Sequence, residues 1–127
     1  MDYIRINGTE YPLKFGLGFL RTMDKRVTVP VESFGGKETE AGFRWAVMNL
    51  IDNNIDTLLD VLLVANRGQN LQLTMPMLEE WVEDENTDIE ATFDMVLDFL
   101  KQANVTKKVT TSMMESVAEA LEQQKAK

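Results

Sequence analysis

The stretch YIRINGTEYPLKF, residues 3 to 15, constrains the fold of this chain more than any other. Tyr3 to Ile6 and Tyr11 to Phe15 alternate apolar and polar residues, which is the period of a strand. Between them stands Asn7-Gly8, a pair that accepts the positive φ values of a two-residue hairpin turn. Pro12 has no N–H, so its strand lies at an edge or leaves its early residues unpaired. A two-stranded hairpin is only marginally stable in water and must lie on other elements. The regular patterns that follow are helical. The chain is therefore expected to be mostly α (α+β), with an N-terminal β-hairpin packed on about five helices.

Leu17 to Lys25 is a short helical run, with Leu17, Leu20 and Met23 or Asp24 at turn spacing. VTVPVESFGGKE reads as a loop because Pro30 and Gly35-Gly36 interrupt any regular pattern, although Val27, Val29 and Val31 can pair as a short extended segment. From Glu38 to Ile51 one helical face carries Phe43, Ala46, Val47, Leu50 and Ile51. Asn54 or Asn53 caps the next helix, which carries Ile55, Leu58, Leu59, Leu62 and Leu63 and stops at Gly68. Val61 and Val64 make it apolar nearly all round, as befits a helix at the centre of a core.

Thr74 and Pro76 open a short helix to Glu83 with Leu78, Trp81 and Val82 inward. Asp88 then caps a long helix bearing Ile89, Phe93, Val96, Leu97 and Leu100. In the last helix Met114, Val117, Ala118 and Leu121 follow 3-4-3 spacing, and Ser112 with Glu115 forms a capping box. The expected organisation is one domain over residues 1–127: hairpin 1–15, short helix 16–26, loop 27–37 and helical region 38–125. At 127 residues such a domain buries enough surface to fold without disulfides or metals.

Composition narrows the chemistry. There is no cysteine and no histidine, so thiolate or imidazole metal sites and His-dependent catalytic arrangements are excluded. The N-terminus lacks the continuous apolar run of a signal peptide, and IDTLLDVLLVA is too short and too interrupted to span a membrane. Nine acids and no base lie between Glu79 and Leu100, within a net charge of −8, so the remainder carries about +1. No basic patch suited to phosphates accompanies them, and nucleic-acid binding is not expected.

Two motifs fail on inspection. GLGFLR follows a strand and opens a helix, as a dinucleotide loop would, but Arg21 replaces the third glycine and no βαβ unit follows. Asp84, Asn86 and Asp88 have the spacing of a calcium loop's first ligands, but Ile89 and Met95 stand where glycine and glutamate are required. Neither a cofactor nor a metal is expected. The methionines are a better lead, since their flexible side chains suit adaptable binding surfaces. Met23, Met48 and Met95 read as core filling. The stripe Met113, Met114, Val117 and Leu121, or else the one on Asp88 to Ala103, is the candidate face for a partner helix.

IRINGTEYPLKFGLGFLRTMDK resembles the opening of the tail assembly chaperones of long-tailed phages and prophages of Gram-positive bacteria. WVEDENTDIEATFDMVLDFLKQANVTKKV is similar to a second region of that family, an acidic linker leading into a long amphipathic helix. The resemblance is patchy between Val27 and Ala41. It implies a non-enzymatic role in the bacterial host's cytoplasm: binding the tape measure protein, keeping it soluble and helping the tail tube protein polymerise around it, without retention in the mature virion. No catalytic residues carry over, and self-association is a further expectation. Two rival readings are a minor tail or connector protein retained in the virion, and an acidic adaptor binding a basic partner through Glu79 to Asp98.

Overall fold

The computed structural model describes residues 1–31 and 37–125, with residues 29–31 and 37–39 described as backbone. β1 (Asp2–Ile6) pairs antiparallel with β2 (Thr9–Leu13), with Ile4 opposite Tyr11 and Ile6 opposite Thr9. The turn residues Asn7 and Gly8 have φ of 52° and 80°, the left-handed values that this dipeptide tolerates. Alternation along β1 sends Ile4 and Ile6 inward and leaves Tyr3 and Arg5 outside. Arg5 Nη2 lies 3.0 Å from Glu10 Oε1, but both side chains are more than half exposed, so the pair adds little stability.

The hairpin does lie on helices, through buried Ile4, Ile6 and Leu13 and through one buried amide. Asn66, at the end of α3 (Ile55–Asn66), is 2% exposed. Its Nδ2 donates to the carbonyls of Pro12 and Leu71, each at 2.9 Å, and its Oδ1 accepts from Leu73 N–H at 2.6 Å. Lys14 N–H donates to the Ala65 carbonyl at 2.8 Å beside it. One amide thus joins β2, the end of α3 and the connection beyond it, with its polar atoms satisfied as burial requires.

α1 (Leu17–Asp24) turns Phe19 and Met23 inward with Leu20 half-buried against the core, so of the expected face only Leu17, 47% exposed, is corrected. The reason lies in the aromatic seam. Phe19 meets Phe15 edge-on with ring centroids 5.1 Å apart, and Phe43 edge-on at 6.2 Å. β3 (Thr28–Val31) follows and pairs antiparallel with β4 (Lys37–Glu40). β3 takes up the short extended segment expected at Val27 to Val31. β4 replaces the end of the loop 27–37 and the first residues of the helix expected from Glu38, and α2 (Gly42–Ile51) begins four residues later than that helix. The polar run Lys37 to Glu40 has no apolar alternation to announce a strand. Glu32 to Gly36, read as loop from Pro30 and the glycine pair, lies outside the described residues.

α2 docks tightly on α1. Phe43 N–H donates to Asp24 Oδ1 at 3.1 Å, and a Cβ added at Gly42 would fall on the Met23 carbonyl oxygen. Only glycine permits that approach. α3 is central as expected: Leu58, Val61 and Leu62 are fully buried, the Asn54 side chain accepts from Thr57 N–H, and Gly68, just past the helix, has φ 79°. α4 (Met75–Glu83) and α5 (Ile89–Gln102) start at the expected caps, Thr74 and Asp88, whose side chains accept from Met77 and Ala91 N–H. α6 (Lys107–Lys125) starts five residues before Ser112, so Ser112 and Glu115 are mid-helix and form no capping box. Its entry is set instead by Thr106, fully buried, whose hydroxyl donates to the Leu100 carbonyl at 2.8 Å. Among the described residues, six helices and the first hairpin enclose one apolar cluster running from Ile4 to Leu100, with α6 laid against α2 and α5.

Candidate partner-binding surfaces

The stripe expected on α6 is divided by the fold. Met113 and Met114 are half-buried against the core, and Val117 is half-buried. From Ala118 to Lys125 every residue is exposed, with Leu121 at 53%. The four residues share a helical face, but the first two already pack within the chain. On α5, the alternative stripe is the core face itself: Phe93, Val96, Leu97 and Leu100 are buried. Met23 is buried and Met95 half-buried, as core filling requires. Met48 departs from that expectation, being 40% exposed one turn from Trp45, itself 59% exposed, on the outer side of α2.

The acidic connection between α4 and α5 uses its polar groups internally. Asp84 Oδ1 accepts from Asn86 N–H at 2.8 Å, Asp88 Oδ1 accepts from Ala91 N–H at 3.0 Å, and Thr87 Oγ1 donates to the Trp81 carbonyl at 2.6 Å. The carboxylates spaced like a calcium loop thus serve as a turn and a helix cap. Among the described residues no group of three or more acidic side chains is arranged to hold a metal ion. A cleft of about 430 Å³ lies between this connection and β1, and the same hydrogen-bonded groups line it.

A different surface emerges only once the helices are packed. The groove between α3 and α4 encloses about 610 Å³. Ile55 and Leu59, one turn apart on α3, form one wall; Met75 and Val82, two turns apart on α4, form the other. Asp56, Glu79 and Glu83, all exposed, complete its lining. Ile55 is 42% exposed, and Met75 and Val82 are half-buried. The sequence spacing places Ile55 and Val82 inward; Val82 is half-buried against the core as expected, Ile55 is exposed, and no spacing places Met75. Each lies on the flank of its helix, where the gap to the neighbouring helix decides whether it is covered. No signal in either segment alone reports that gap.

Among the described residues no helix is long and apolar enough to cross a membrane. No curated protein and no solved structure matches the chain. A family described as "Phage tail assembly chaperone protein, TAC" matches residues 3–115. That match runs from β1 into α6 and takes in every element that contributes to the core, so the chain belongs to the phage tail assembly chaperone family.

Proposed function

We propose that this chain is a non-enzymatic chaperone that binds the tape measure protein, keeps it soluble and promotes tail tube assembly around it. It acts in the cytoplasm of a Gram-positive host and leaves before the virion is complete. The observation that carries this reading is the family match over residues 3–115. The surface supports it in physical terms. A client rich in apolar helices needs adaptable apolar contacts, and the chaperone needs strong charge to stay soluble while offering them. Exposed Met48 and half-buried Met75 meet the first need, and the nine acids from Glu79 to Asp98 meet the second.

Co-expression with the tape measure protein encoded nearby tests the reading. The client should be soluble only with this chain, and the two should co-elute on size exclusion at raised salt, because apolar contacts survive screening. Purified virions should lack the chain by mass spectrometry. Abundant chain in virions would favour a structural tail component, and co-elution lost at moderate salt would favour an acidic adaptor.

A further inference from the structure

We infer that the groove between α3 and α4 is a docking site for a cationic amphipathic helix. The inference deepens the chaperone reading, on which it rests for the source of that helix. Its lining joins four apolar side chains to three exposed carboxylates, which is the inverse of a helix with an apolar stripe flanked by lysine or arginine. Only α3 and α4 residues line it, so an extended peptide would find no strand edge for its backbone groups. A helix brings those groups already satisfied.

Two of these charges, Glu79 and Glu83, are placed for a partner rather than for this fold, whereas Asp56 also suits the positive start of α3. Asp56, Glu79 and Glu83 have no ion-pair partner among the described residues. Glu79 and Glu83 are four apart on one helix face, where like charges repel. Glu83 ends α4, where the helix dipole is negative, and no base stands in that last turn. A cation laid along α4 relieves both effects. A second copy of this chain is a poor occupant: the exposed end of α6, AEALEQQK, brings Glu119 and Glu122 against one lysine to an acidic lining.

The test titrates the ¹⁵N-labelled full chain with a synthetic leucine–lysine peptide of helical period, and with its leucine–glutamate counterpart. Shift changes should centre on Ile55, Leu59, Met75 and Val82, and the glutamate peptide should bind at least about tenfold more weakly. The double variant Glu79→Lys/Glu83→Lys should weaken the lysine peptide by about tenfold or more while keeping a Tm at or above that of the unmodified chain. Removal of a merely structural contact would lower the Tm instead. Ile55→Ser, at a half-exposed helix start, should weaken it by about fivefold without changing charge.

Equal peptide binding by the double variant overturns the inference, as do shift changes centred on Trp45 and Met48 or on Leu121. So does a dimer, seen by sedimentation without peptide, that the double variant abolishes. Co-expression separates the inference from the chaperone reading. A double variant that solubilises the tape measure protein as well as the unmodified chain removes the groove and leaves the chaperone. An unmodified chain that binds the peptide in the groove but leaves the client insoluble keeps the groove and removes the chaperone.

Discussion

α3 and α6 use a regular helix in opposite ways. α3 buries seven of its twelve residues and reaches β2 through Asn66, whereas α6, at nineteen residues, buries only Thr110. A short helix in water is marginal because its first turn is costly to nucleate, while each added residue costs little. α3 is therefore held by what surrounds it. The last two turns of α6 persist as an extension of the first half, which α2 and α5 hold in place. Length and helical regularity say little about where stability resides; contact with the core says more.

Three substitutions and one deletion break or sharpen that contrast. Leu62→Ala, in the fully buried face of α3, should cost about 3 kcal/mol in urea unfolding. Asn66→Ala should cost about 2 kcal/mol, because the Pro12 and Leu71 carbonyls and the Leu73 N–H all lose their partner at a buried site. Loss of hydrogen-exchange protection should then extend into the first hairpin. Thr110→Val tests the one buried residue of α6, whose hydroxyl finds no partner among the described residues. It should gain about 1 kcal/mol, since a similarly shaped apolar group removes an unsatisfied donor. Deleting residues 118–127 should lower the helical circular dichroism signal yet change unfolding free energy by less than about 0.5 kcal/mol. A larger loss would show that the end of α6 is anchored after all.

Features set by neighbouring residues were legible in the sequence. The Asn-Gly turn, the caps at Asn54, Thr74 and Asp88, and the central position of α3 each follow from chemistry within a few residues. Features set by distant partners were not. β4 is polar throughout and exists because β3 pairs with it. The start of α6 depends on Thr106 reaching back to Leu100, and Ser112 with Glu115 offered a local signal that the fold does not use. Asn66 carries no such local signal, since an asparagine near a glycine reads as a helix end rather than as a link to residues far upstream. The candidate site divides the same way. The family resemblance was carried by the hairpin and the α4–α5 region, while the groove depends on the spacing of two packed helices.

The link between Asn66 and Pro12 spans 54 residues, and that separation has a consequence in time. During synthesis at about 5–20 residues per second, the first hairpin is made roughly 3–10 s before the helix end that secures it. A lone hairpin over that interval is an open template for pairing with another nascent chain. Charged residues on its outer face, Arg5, Glu10 and Lys14, together with a proline in the second strand, discourage such pairing while the rest of the chain is completed.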